Sequence, residues 1–189
     1  MPNPPRRRKD AEANRARIVA AARALFASRG RDVPLDAIAR EAGVGNATVY
    51  RHFPTWEALF AAIQEASLSE TAAFLDGMAD DLDEWGRLAA LVQWIADRPD
   101  VTLVDTIFAP DLYDSDLGRR ARELEDRAWQ LVQAAQDAGA VRALSRTEMD
   151  AIFLAVARVA TEPGVSVEST QTFVDIVLEG IRARTLSGD

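Results

Sequence analysis

Between Pro34 and Pro54 the chain is divided by Gly43 and Gly45 into two short helical segments, and this punctuation constrains its fold more than any other stretch. Proline lacks a backbone N–H and suits only the first turn of a helix, so Pro34 opens one helix and Pro54 follows the end of another. Leu35, Ile38 and Ala39 recur at helical spacing, and Gly43 ends that segment with a residue that tolerates positive φ. Val44-Gly45 then leaves space for a tight turn. A third helix is expected from about Asn46 to His52, broken by Phe53-Pro54. Two short helices joined through a glycine-containing turn make a helix-turn-helix.

The rest of the chain is helical by period as well. Ile18, Ala21, Ala22, Leu25 and Phe26 predict a first helix from Asp10 to a stop at Gly30. Met1 to Lys9 is rich in Pro and Arg, has no apolar residue beyond Met1, and reads as a disordered basic arm. Thr55 caps a fourth helix, with Glu57 in its first turn, continuing through Leu59, Phe60 and Ile63 towards Met78. Trp85, Leu88, Leu91, Val92 and Ile95 form the next stripe, ended by Arg98-Pro99. A shorter segment follows from Val101 to Phe108, then a long helix through Leu117, Leu124, Leu131 and Ala135 to Gly139. Ser145 and Glu148 have the spacing of a capping box and open a helix to about Thr161; Phe173 to Ile181 mark the last. The expectation is an all-α chain of about nine helices: an arm at 1–9, a three-helix DNA-binding domain at 10–55, and a larger helical domain at 56–189.

Charge separates the two parts. The formal net charge is −8, yet residues 1–60 hold eleven Arg or Lys against six Asp or Glu, leaving eleven against twenty-four in residues 61–189. A head of +5 on a body of −13 suits a protein that brings only its head to a polyanion. There is no Cys and one His, His52, so thiolate metal sites, disulfides and catalysis built on several histidines lose their raw material. No apolar stretch reaches the roughly 20 residues of a membrane span, and no apolar segment follows the basic N-terminus, so a cytoplasmic protein with no membrane contact is expected.

The helix after the turn carries the chemistry. Asn46, Thr48 and Arg51 offer an amide, a hydroxyl with a methyl, and a bidentate guanidinium to base edges in a major groove. Tyr50 and His52, at the far end, reach phosphates, which position a helix without reading sequence. Tyr50 has a packing role besides, and Phe53 belongs to the core.

From Arg17 to Phe60 the run RIVAAARALFASRGRDVPLDAIAREAGVGNATVYRHFPTWEALF resembles the DNA-binding segment of the TetR, or tetracycline-repressor, family. The resemblance rests on AA..LF in the first helix, IA..AGV in the second, and YRHFP leading into the fourth. It implies a homodimer that binds double-stranded operator DNA, with a C-terminal domain that takes a small-molecule effector and dimerises through its last two long helices. Thr48, Tyr50 and His52 match family positions that touch DNA, Asn46 and Arg51 match variable positions that read it, and Thr55 joins the set at the start of helix four. Two residues depart from the pattern: Pro34 stands where a capping hydroxyl is common, and Trp56 where a phosphate-binding Lys is common.

The body has to be read from its own residues. Phe74, Met78, Trp94, Phe108, Tyr113 and Trp129 are spread over several helices and either line a pocket or fill a core, while Thr102 and Asp105 stand among apolar neighbours and would orient a ligand. Phe153, Val156, Ala157, Ala160, Val174, Val177, Leu178 and Ile181 give the last two helices a wide apolar arc, which suggests a self-complementary contact with a second copy. Asp80-Asp81 with Asp83-Glu84 reads as an acidic helix start, and no catalytic residues, metal ligands or cofactor motif are identified. An enzyme is the leading alternative of another class, but no motif speaks for it, and the long aromatic body speaks against a DNA-binding protein without an effector.

Overall fold

The computed structural model describes residues 4–29, 32–79, 81–98, 115–162 and 164–183, with side chains from Lys9 onward. They form eight helices and no strand. The chain divides into two compact units, Met1–Ser67 and Leu68–Asp189. The expected helix at 101–108 lies outside the described residues.

The first unit contains α1 (Pro4–Arg29), α2 (Leu35–Glu41), α3 (Asn46–His52) and the first part of α4 (Trp56–Asp76). Its core joins Ile18, Ala22 and Leu25 of α1 to Ile38 and Ala39 of α2, Val49 of α3, Phe53, and Leu59, Ala62 and Ile63 of α4. Because α4 contributes three residues to this core, the unit ends within α4 and not at residue 55, where the sequence changes character. Helix α1 also begins six residues before Asp10, which corrects the expected arm. Prolines 4 and 5 fall in the first turn, where their missing N–H groups cost nothing, and the Arg and Lys residues after them favour helix.

The turn from α2 to α3 shows why Gly43 stands where it does. The Val44 N–H donates to Ala39 O at 3.0 Å and the Gly43 N–H to Arg40 O at 3.1 Å, the paired bonds of a Schellman motif. This motif needs a left-handed residue, and Gly43 has φ +63°.

The second unit packs α5 (Glu84–Ala96), α6 (Asp116–Asp137), α7 (Arg146–Thr161) and α8 (Val167–Ile181) around one core. Leu88 and Val92, Val132 and Ala135, Met149 and Val156, and Val174 and Ile181 meet there, with Trp85 and Trp129 half-buried against them. All four helices start on a side-chain cap: Asp83, Ser115, Ser145 and Ser166 each accept a backbone N–H from the first turn. At Ser145 the box is reciprocal, since the Ser145 N–H donates back to the Glu148 carboxylate at 2.7 Å. That bond and the Ser145 hydroxyl hold the Glu148 carboxyl below its ordinary pKa. At the other end, Arg182 stacks 5.0 Å from the Trp85 ring centroid, beside an isolated antiparallel bridge to Val141.

Four residues assigned to a contact between copies are used inside this unit. Val156, Ala157, Val174 and Ile181 are buried, so the wide apolar arc of the last two helices serves first to close their own core. Phe153, Val177 and Leu178 are half-buried against the same core, and Ala160 is half-buried. The apolar side chains that α8 turns outward are instead Val167 and Ile176, 89% and 62% exposed. Among the described residues no helix is long and apolar enough to cross a membrane.

Candidate nucleic-acid interface

Helix α3 has two faces. Val49 is fully buried and anchors the helix to the core of the first unit, while Asn46, Ala47, Tyr50 and Arg51 are exposed. Asn46 and Tyr50, like Ala47 and Arg51, are four residues apart, so the exposed set is two adjoining rows on one side of the helix. That side presents an amide, a methyl, a phenol and a guanidinium. These are the groups that pair with adenine, a thymine methyl, a phosphate and guanine.

Thr48, expected to offer a methyl and hydroxyl contact, is half-buried on the flank of α3, and Ala47 is exposed beside it. The signal for Ala47 was its spacing of four from Arg51. Tyr50 is 55% exposed, so its ring is turned out and the additional packing role is not its main one.

His52 differs from its expected role in one respect. Its ring is half-buried, its centroid lies 6.3 Å from that of Phe53, and its Nε2 is buried without a hydrogen-bond partner. A phosphate contact from this ring is therefore left to its other edge. Thr55 is engaged in capping: its hydroxyl oxygen accepts the Ala58 N–H at 3.2 Å, beside the Glu57 carboxylate. The backbone N–H of Glu57 and this hydroxyl hold the Glu57 carboxyl below the usual range. Thr55 thus fixes the start of α4.

Two residues gain roles that charge counting had not given them. The Arg15 guanidinium of α1 lies 5.3 Å from the Phe53 ring centroid, which sets a cation beside the end of α3. Trp56 is half-buried with its ring 5.2 Å from that of Phe26, so the residue standing where a phosphate-binding Lys is common packs against α1. Helix α2 starts at Pro34 without a side-chain cap, as expected from its lack of a hydroxyl.

In the second unit the aromatic candidates separate. Phe74 stacks on Trp94 with centroids 4.7 Å apart and planes 20° from parallel, and Arg98 covers Trp94 at 4.5 Å while pairing with Glu70. Asp76, at the end of α4, pairs with Arg127 of α6 at 2.7 Å. Met78 is half-buried, and Trp129 is half-buried against the core of the unit. Thr102, Asp105, Phe108 and Tyr113 lie outside the described residues.

Comparison with known proteins follows the same division. Residues 18–63 match the model of bacterial regulatory proteins of the tetR family, and residues 85–183 match the C-terminal domain of SbtR-like transcriptional regulators. A TetR transcriptional regulator from Streptomyces coelicolor is 30% identical, with a TM-score of 0.64 over 90% of this chain and 99% of that one. A TetR regulatory protein from Mycobacterium vanbaalenii is also 30% identical, with a TM-score of 0.59 over 93% and 98%. A TetR-family regulator from Agrobacterium tumefaciens, at 16% identity, shares the fold with a TM-score of 0.71 over 92% and 100%. Curated protein sequences yield no match.

Proposed function

This chain belongs to the TetR family of bacterial transcriptional regulators, and from that premise we propose that it is a cytoplasmic, homodimeric repressor that a small-molecule effector releases from its operator. The observation that carries the reading is the two-faced α3: Val49 fixes it to the core while Asn46, Ala47, Tyr50 and Arg51 face outward. A dimer would place two such helices on half-sites one helical turn apart, about 34–36 Å. Helix α3 lies in the more basic part of the chain, which suits contact with a polyanion.

Release requires a ligand in the body to move the recognition helix, and α4 is suited to transmit it. The helix is unbroken from Trp56 to Asp76; Leu59, Ala62 and Ile63 hold it to the core of the first unit, while Glu70, Phe74 and Asp76 tie it to α5 and α6. A tilt of α4 would change the half-site spacing that a dimer reads. A coupling of about 1–3 kcal/mol suffices for a switch.

The test uses any compound that stabilises the chain in a metabolite panel. Calorimetric titration of that compound is expected to show weaker binding in the presence of operator duplex, by the same factor by which the compound weakens operator binding. Equal affinity with and without operator would sink the repressor-release reading and leave DNA recognition by α3 standing.

A further inference from the structure

Arg15 stands on the side of α1 that packs inward: Ile18 and Val19, three and four residues further on, are buried in the core of the first unit. Arg15 itself is exposed, so it marks the rim where α1 leaves that core. Its guanidinium lies over the Phe53 ring, 5.3 Å from the centroid, and Phe53 is the residue that ends α3. The cation thus sits at the end of α3 that carries Tyr50, Arg51 and His52, although it comes from another helix. Among the described residues it has no hydrogen bond and no ion pair. Arg17, two residues on, differs: its guanidinium donates to Asn14 Oδ1 at 2.6 Å. Nor is any acidic side chain buried among the described residues, so Arg15 is not there to neutralise one.

We infer that Arg15 is a DNA-backbone contact, its guanidinium gripping a phosphate on the wall of the groove that α3 enters, beside the phosphate left to the outer edge of His52. This rests on the DNA reading of α3 given above and adds to it a residue from α1. A ring can be covered by any apolar side chain, whereas a guanidinium held over one keeps its N–H donors for another partner. Two parallel N–H donors match the oxygens of a phosphate, and the ring restrains the fork before DNA arrives. The place is right as well. A helix seated in a major groove about 12 Å wide has a phosphate strand close to its end. His52 flanks the same Phe53 ring, its centroid 6.3 Å away, so the imidazole and the guanidinium share that end of α3. A contact of this kind positions the helix and reads no base.

The competing role for Arg15 is packing, as a cover for Phe53. Arg15→Met keeps an unbranched side chain over the ring and removes the charge; Arg15→Lys keeps the charge and loses the fork. The full chain and both variants are titrated by fluorescence anisotropy between about 50 and 200 mM salt. The probes are a duplex that the wild type selects from a randomised pool and a scrambled duplex of the same length. For Arg15→Met the slope of log affinity against log salt should fall by about 0.9 per protomer on both duplexes, with binding about tenfold weaker at the lowest salt. Arg15→Lys should keep the slope and bind both about threefold more weakly.

Partial unfolding lowers affinity by one factor at every salt concentration, so the slope still reports on a variant whose fold is damaged. Weaker binding with an unchanged slope in Arg15→Met would assign Arg15 to packing and overturn the proposal. So would a loss confined to the selected duplex, which marks a base contact, or a slope lowered equally in Arg15→Lys. Wild-type selectivity separates the two readings. A chain that binds both duplexes alike, with the slope still lowered in Arg15→Met, would uphold the contact and sink sequence reading by α3. Selective binding with a slope that Arg15→Met leaves intact would do the reverse, and a wild type that binds neither duplex would overturn both.

Discussion

Phe53→Ala is expected to cost the first unit about 3–5 kcal/mol, the range for removing a large buried aromatic from a core that cannot close over the space. Phe53 is 2% exposed and sits where α3 ends, its N–H donating to Val49 O at 2.8 Å. Its ring packs with the core that joins all four helices of the unit, and Arg15 lies over it. A small unit has few kcal/mol to lose, so the substitution should leave α1 to α3 unfolded for an appreciable fraction of the time. Amide hydrogen exchange of α2 and α3 under native conditions reads this directly. A loss of protection equivalent to less than about 1 kcal/mol would mean that the ring is not a closed-packed element of the core.

The second large effect concerns recognition and leaves the fold alone. Arg51 is exposed on the outward side of α3, four residues after Ala47, and makes no contribution to the core. Arg51→Ala should weaken binding to the preferred operator by about 1–3 kcal/mol and leave non-specific binding nearly unchanged, as for loss of a bidentate contact to a base. Fluorescence anisotropy on an operator duplex and a scrambled duplex at fixed salt distinguishes the outcomes. Equal loss on both would make Arg51 a phosphate contact, and its removal would then lower the salt dependence of binding on either DNA.

The parts of the structure that were legible in the sequence are those fixed by local chemistry. Gly43 ends α2 because the motif there needs positive φ, Pro34 and Pro54 delimit the two short helices, and the Ser145–Glu148 box starts α7 where its spacing indicated. Each of these depends on residues within one turn of each other. What remained hidden depends on rotation or on distant neighbours. The side-chain chemistry of α3 brings out Asn46, Tyr50 and Arg51 but not Ala47, whose exposure beside them carries no chemical signal in the sequence. A wide apolar arc on α7 and α8 does not say which part meets the rest of the chain, and Val156 and Val174 turned out to be fully buried within it. Thr55 is read correctly as a cap, its hydroxyl oxygen accepting the Ala58 N–H. Arg15 counted in the sequence only as charge, because the Phe53 ring it lies over belongs to a distant part of the chain.

The central claim is that α3 reads base sequence as one of a pair, and selection of binding sites from a randomised duplex pool tests it most directly. Enrichment of an inverted repeat is expected, with half-site centres about 10–10.5 base pairs, or a multiple of this, apart. Arg51→Ala should relax the preference at one position of each half-site while leaving the spacing intact. A pool that emerges without a shared sequence, held only by contacts that vanish as salt is raised, would contradict it.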